Sequence, residues 1–361
     1  MSFALEEARK IINEVDAEMA KLFVKRMRAA ELIADYKAKH GLQIYDAERE
    51  NEVIKKNSLM IEDDELRPFY VSFIKDTMAT SRSYQDKLMS GMRVAYSGTV
   101  GAFAHIASEK LFPTARKIAY PSFEEAYGAV ERGECDVCVL PTENSAGGDV
   151  GQVSDLMFSG TLFLNGMYEL AVSQDLLGIK GARVEDIKTV ISHPQALSQC
   201  RKYIIEHGFD TKEYTNTALA ANAVSEGGDK TVGAIASAEA AELFGLTVIE
   251  KNINESLSNT TRFAVFSRSE NRNKRDDMGV HTVFLFTVRN EAGALAQAID
   301  IIGKHGFNMR SLRSRPMKEL LWQYYFYVEA EGNIHSENGQ LMVSELSKYC
   351  DRLKIVGTYL K

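Results

Sequence analysis

Between Leu5 and Tyr36 the chain keeps a seven-residue hydrophobic rhythm. Leu5, Ile12, Met19, Arg26 and Ile33 form one set; Ala8, Val15, Leu22, Ala29 and Tyr36 form the other. No proline occurs before Pro68, and Gly41 is the only glycine before Gly91. This spacing holds one stripe on one helix face. It predicts a single long helix ending near His40–Gly41, followed by shorter helices over about 47–58 and 63–88. Three helices this elongated enclose little core, so the pattern also predicts pairing with a second copy.

Past "SGM" (Ser90 to Met92) the texture changes. β-rich runs alternate with helical stretches: "RVAYSG" then 102–111, "CDVCVLP" then a Gly-rich loop, "KTVISH" then 195–206, "TVGAIA" then 237–244, and finally "TRFAVFS". That order predicts an α/β fold with largely parallel strands, in one or two lobes. Residues 268–280, "RSENRNKRDDMGV", form a charged linker. "HTVFLFTV", a helix over about 293–305, "NMRSLRSR", "LLWQYYFYVEA", a helix over about 338–350 and "LKIVGTYL" then give βαββαβ, a ferredoxin-like α+β unit. The domains expected are therefore 1–90 (all-α), 92–268 (α/β) and 280–361 (α+β).

Bulk properties narrow the function classes. At 361 residues and 45% apolar content the chain supports two or three cores. A net charge of −7 argues against nucleic acid or a membrane surface as the main partner, so any anion site is local. Cys135 and Cys138 form a C-x-x-C with no second pair to complete a metal site, and their setting, "ECDVCVL", reads as a buried strand. There is no visible signal segment and no apolar run of membrane-spanning length. The expectation is a cytoplasmic protein with reduced thiols.

Several residues stand out for chemistry. Arg26 occupies a core position of the heptad stripe, where a guanidinium is costly unless it is paired, bound to an anion or used to set register. Lys37, eleven residues on, returns to nearly the same face about 16 Å along the axis, so the two cations can converge on a small dianion. Arg9 lies roughly 25 Å from Arg26 along the helix and could serve only a partner subunit's site, if two long helices run antiparallel. "YDAERE" (45–50) is either a solvated helix start or a supplier of Asp46 and Glu50 to that site. Ser81 and Gln85, four apart on the third helix, present a hydroxyl and an amide on one face, or lie on the surface.

Arg9, Asp16, Arg26, Lys37, Asp46, Arg49 and Glu50, with Ser81 and Gln85 behind them, follow the order and spacing of the all-helical chorismate mutases; "D-x-x-R-E" at 46–50 is that family's signature. Residues 5–88 therefore resemble this family. The resemblance implies an intertwined dimer whose site borrows Arg9 from the other subunit. It implies that Arg9, Arg26 and Arg49 hold or support carboxylates, that Lys37 and Gln85 donate to the ether oxygen, and that Asp46 and Glu50 take the ring hydroxyl and nearby groups. Rearranging chorismate to prephenate needs no nucleophile, metal or cofactor. It needs a compact conformer and stabilised charge on the breaking C–O bond.

In the middle segment Gly98 and Gly101 stand between a strand and a helix, as an anion-binding turn or simply a tight one. Glu143, Asn144 and Ser145 end a strand, His193 follows another as a ligand contact or a structural residue, and Thr260, Thr261 and Arg262 open a third. "G-x-x-G-x-F" (98–103), "P-x-E-N-S" (141–145), "SHPQAL" (192–197) and "T-R-F" (261–263) together resemble prephenate dehydratase over 92–267. That resemblance implies two lobes around a cleft, as in periplasmic binding proteins. It implies that Thr261 assists the leaving hydroxyl, with Glu143, Asn144, Ser145, His193 and Arg262 orienting it and the substrate. Thr99 stands where that family commonly has proline, and Ala102 and Ala104 where it has small hydroxyl residues.

Residues 281–361 resemble an ACT domain, with Gly293, Ala294 and Leu295 at the first motif and Asn308, Ser314 and Arg315 in the second. Arg313 replaces the glutamate of the usual E-S-R-P, and Ala296 the usual valine. The resemblance implies L-phenylalanine as effector; the alternative is a purely dimerising module. As a whole the chain resembles the bifunctional chorismate mutase/prephenate dehydratases. The rivals are a mutase fused to a non-catalytic two-lobe solute sensor, and a dehydratase that uses arogenate.

Overall fold

In the computed structural model, residues 2–256, 258–270, 279–317 and 323–361 are described. They form two compact units that divide after Arg93.

The first unit is three helices, α1 (Ser2–His40), α2 (Ala47–Ser58) and α3 (Arg67–Ser90). Asp46 caps α2, its carboxylate accepting the Arg49 N–H at 3.0 Å. α3 starts four residues later than the spacing predicts. Asp63 Oδ1 accepts the N–H groups of Glu65 and Leu66 and turns the chain there, and Pro68 sits in the first helical turn, where a missing N–H costs nothing. α1 packs on α3 around Ala30, Ala34 and Met78. The heptad stripe stays largely bare: Leu5, Ile12, Val15 and Leu22 are 53, 57, 51 and 63% exposed.

The second unit begins with a lobe built on β1 (Arg93–Ser97), β2 (Arg116–Tyr120), β3 (Val137–Asn144), β4 (Gly148–Asp149) and β5 (Phe163–Ala171). Its helices are α4 (Phe103–Leu111), α5 (Phe123–Glu131) and α6 (Gly151–Ser159). The chain then builds a second lobe from β6 (Asp175–Gly178), β7 (Thr189–Ser192), β8 (Asp210–Glu213), β9 (Val232–Ala236) and β10 (Thr247–Glu250). Here the helices are α7 (Pro194–Gln199), α8 (Arg201–His207), α9 (Thr217–Gly227) and α10 (Ala238–Phe244). It returns to the first lobe as β11 (Thr260–Ser267). The two crossing segments pair at the hinge, Val172 N to Asn259 O and Ile253 N to Gln174 O, each at 2.8 Å.

The expectation of largely parallel strands is corrected. β1–β3, β7–β8 and β7–β9 are parallel, but β11 runs antiparallel to both β3 and β5, and β6 antiparallel to β9 and β10. A strand returning from the second lobe enters the first sheet from the far end, and local sequence carries no sign of that direction. The single helix expected over 195–206 is two, broken at Cys200. Cys135 and Cys138 are fully buried and form no disulfide among the described residues, in keeping with a core role.

The C-terminal part of the unit is β12 (Val280–Val288), α11 (Ala294–Lys304), β13 (Asn308–Pro316), β14 (Tyr324–Glu331), α12 (Glu337–Leu346) and β15 (Cys350–Leu360). Its antiparallel sheet is ordered β13-β14-β12-β15. This is the expected βαββαβ, although 271–278 of the expected linker and 320–322 of the expected third strand lie outside the described residues. The sheet is buried on both faces. Phe284, Phe286 and Val328 pack under α11 and α12. Val283, Leu285, Tyr325, Tyr327, Val356 and Tyr359 share a core with Leu140, Met157, Leu164 and Phe266 of the first lobe. β15 passes β5 so closely that a Cβ on Gly357 would collide with the Leu164 carbonyl oxygen.

Candidate active sites

In the helical unit, Arg26 is half-buried and reaches α3, with Nη1 donating to Ser81 Oγ and, at 3.3 Å, to the Thr77 carbonyl. Burial lowers its pKa, as expected for a cation that ordinarily wants water or an anion. Ser81 and Gln85 are buried, so the surface alternative fails for both. Gln85 Oε1 is buried without a hydrogen-bond partner among the described residues, an arrangement that costs free energy unless a donor is supplied. Lys37 donates from Nζ to the Ile44 carbonyl at 2.6 Å, which ties the end of α1 to the turn ahead of α2. Glu50 pairs with Arg82, whose guanidinium lies over the Tyr45 ring with its centroid at 5.4 Å.

"YDAERE" is thus both a helix start and part of a side-chain cluster. Asp46 caps, Glu50 faces inward, and Arg49 turns out to Glu52 on the surface. Within one chain the expected role of Arg49 at a substrate carboxylate is therefore not met. Arg9 lies on the exposed part of α1. Sequence reasoning missed Arg82; the half-buried Glu50, needing a cation, was the available signal.

In the first α/β lobe, β3 and β11 bring Asn144 opposite Thr261. Asn144 Oδ1 accepts the N–H groups of Ala146 and Gly147 at 3.0 and 2.7 Å, which fixes its amide. Its Nδ2 then donates to Thr261 Oγ1 at 2.9 Å and to Asn259 Oδ1 at 2.8 Å. Asn259, buried, donates onward to Gln199 Oε1 at the end of α7, at 3.1 Å. Thr261 Oγ1 is an acceptor in this chain of amides, so its own proton is not used in that bond. Leu170, paired with Thr261 on β5, lines a cavity of about 230 Å³ between the lobes, together with Phe103, Ser237 and Lys251. Across an antiparallel pair such neighbours share a face, so the Thr261 side chain stands beside that of Leu170, which lines the cavity.

The other expected dehydratase contacts separate. Ser145 Oγ donates to the Ser258 carbonyl and accepts the Thr260 N–H, each at 2.9 Å, so its hydroxyl is spent on joining β11 to the loop. His193 caps α7, its Nδ1 accepting the Gln195 N–H at 3.2 Å, and lines an open depression with Lys212 and Tyr214. Glu143 and Arg262 lie one residue from Asn144 and Thr261 and so point to the opposite face, toward the C-terminal sheet; expecting them beside the hydroxyl is corrected on that ground. The Gly98–Gly101 turn uses its own donors, Gly98 N to Tyr120 O and Gly101 N to His105 Nδ1. Asn259 and Gln199 were missed, although each adjoins a motif.

In the C-terminal sheet Gly293 opens α11 with φ 88°, a left-handed turn that favours glycine, and Ala294 and Leu295 form the first helical turn. Asn308 and Ser314 are exposed on β13. Arg315, grouped with them in the sequence, points the other way. It donates to Asp155 on α6 and to Asp149, so its expected effector role is corrected.

Sequence comparison agrees with the division seen in the structure. The chorismate mutase type II pattern matches residues 8–86, and the prephenate dehydratase pattern matches 94–271. A bifunctional chorismate mutase/prephenate dehydratase of Aquifex aeolicus is 30% identical over 99% of this chain and 98% of its own. An arogenate dehydratase/prephenate dehydratase of Arabidopsis thaliana is 32% identical over 79% of this chain and 76% of its own. The solved prephenate dehydratase of Arthrobacter aurescens, in complex with L-Phe, shares the fold with a TM-score of 0.69 at 24% identity, covering 75% of this chain and 90% of that one. Among the described residues no helix is long and apolar enough to cross a membrane.

Proposed function

The chain belongs to the family of bifunctional chorismate mutase/prephenate dehydratases, and from that premise we propose how its parts divide the work. The helical unit rearranges chorismate to prephenate. The two-lobed unit removes the ring hydroxyl as water and the ring carboxylate as carbon dioxide, leaving phenylpyruvate; aromatisation drives this step. The observation that carries the reading is the Asn144–Thr261 pair, which orients a hydroxyl without using its proton. A hydroxyl is a weak acid, so Thr261 polarises the departing hydroxide rather than fully protonating it. Pure protein incubated with prephenate should yield phenylpyruvate, read by its absorbance in base. The same assay with arogenate tests the rival substrate, and no product from either would overturn the assignment.

The mutase site is completed by a second copy. The uncovered stripe of Leu5, Ile12, Val15 and Leu22 supports pairing, since a face this apolar is seldom left to water. In the dimer Arg9 reaches its partner's site, beside Arg26, Lys37, Glu50, Ser81 and Gln85. Arg9→Ala and Lys37→Ala homodimers should both lack mutase turnover. Mixing and exchanging their subunits should restore about a quarter of wild-type turnover, because half the dimers are mixed and each has one intact site. No recovery on exchange would remove the shared site.

The C-terminal βαββαβ unit acts as an ACT domain. L-Phenylalanine binds at the turn of Gly293, Ala294 and Leu295, with Asn308 and Ser314, exposed on β13, as further contacts, and inhibits dehydration. A calorimetric titration should show heat, with dehydratase inhibition by millimolar phenylalanine. Neither heat nor inhibition would leave the unit a packing and dimerising module.

A further inference from the structure

On the face of β11 away from Thr261, Arg262 meets the C-terminal sheet. Its Nη1 and Nη2 donate to the two carboxylate oxygens of Glu329 on β14 at 2.9 and 2.8 Å. Nη2 also donates to Tyr359 Oη on β15 at 2.9 Å, and that hydroxyl donates to Glu329 at 2.6 Å. Glu329 is only 3% exposed. Burial alone would raise its carboxyl pKa, yet the hydrogen bonds from Arg262 and Tyr359 hold it below the usual carboxylate range. The nearest competing acid, Glu143, stands 3.5 Å from the same guanidinium and is itself held by Arg313 at 2.6 Å. Two parallel N–H···O bonds to a buried carboxylate fix a guanidinium in both direction and plane.

The same rung of the sheet is irregular. Register with β3 skips between Arg262 and Phe263, leaving Thr142 as the extra residue, and Thr142 Oγ1 donates to the Arg262 carbonyl at 3.1 Å. Bulges re-aim the side chains beside them and bend the strand. A bulged strand end is easily displaced unless something grips it. Here the grip comes from a carboxylate that lies far along the chain, in a different sheet.

We propose that Glu329 is a positioning residue for dehydration: by holding Arg262 from behind β11, the C-terminal sheet keeps the Thr261 hydroxyl aligned with Asn144, whether or not an effector is bound. The inference rests on Thr261 being the hydroxyl that assists the leaving group. It gives the C-terminal unit a part in basal turnover, separate from any amino-acid sensing.

The test is Glu329→Gln in the full chain, measured beside wild type for dehydratase kcat and KM, mutase turnover and melting temperature. The expected result is a loss of about 10- to 100-fold in dehydratase kcat, the scale on which small misplacements of reacting groups act. Prephenate KM should stay within about twofold, because Glu329 touches no substrate, and mutase turnover should be unchanged. A folded variant with normal kcat, or one whose loss lies in KM alone, overturns the proposal. If Glu329→Gln does not fold, Tyr359→Phe decides, since it removes the two hydrogen bonds of the hydroxyl, from Arg262 and to Glu329, and leaves the ion pair. A kcat drop of about threefold at constant KM supports the proposal, and no drop overturns it. A wild-type chain with normal mutase turnover but no phenylpyruvate formation would overturn the dehydratase reading and this inference with it.

Discussion

Thr261→Ala should abolish phenylpyruvate formation while chorismate turnover continues at the wild-type rate. Thr261 is half-buried, and its Oγ1 accepts from Asn144 Nδ2 at 2.9 Å. Removing the hydroxyl leaves that amide proton without one of its acceptors, a cost of about 1–3 kcal/mol that a folded domain tolerates. The catalytic cost is larger. A donor aimed at charge that develops only in the transition state typically carries about 10²–10³ in rate, and here the charge gathers on a departing hydroxide. Thr261→Ser keeps the hydroxyl and should retain most of the activity, which separates chemistry from packing. The measurement is phenylpyruvate release from prephenate beside chorismate consumption in the same preparation. Loss of both activities, or of neither, contradicts a protein with two sites.

Much of this architecture was legible in the chain because periodicity reports directly on a helix or strand and its buried face. The heptad stripe marked α1 to its last residue, and Asp46 followed by an apolar run marked α2. The short apolar runs marked β1, β3, β7, β9 and β11. Strand direction was not legible, because β11 pairs antiparallel only by virtue of a chain excursion through a second lobe. Nor was facing. P-x-E-N-S and T-R-F each combine neighbours on opposite faces of a strand, so Asn144 and Thr261 meet while Glu143 and Arg262 leave for the C-terminal sheet. A motif in a strand names residues that are adjacent in sequence, whereas a site collects residues that share a face. Arg315 parted from Ser314 for the same reason. Asn259 and Gln199 were invisible because each acts only through the amide before it.

Lys37→Ala should remove mutase turnover by about 10²–10³-fold, the usual cost of one donor to a developing negative oxygen, with the helical fold retained. Lys37 is half-buried near the end of α1, and its Nζ donates to the Ile44 carbonyl. Losing one such bond costs about 1 kcal/mol, too little by itself to unfold a domain. The ammonium is a point charge with three donors, so one can hold the turn while another reaches the ether oxygen. Arg26 Nη1 already donates to Ser81 and the Thr77 carbonyl, so that donor is not available to take over. Dehydratase turnover on supplied prephenate should be unchanged, which makes the second unit an internal control for folding and concentration. Circular dichroism and chorismate consumption measured together decide the matter. Near-normal turnover in the folded variant would strip Lys37 of its role and leave the charge on the breaking bond to Gln85 and the arginines.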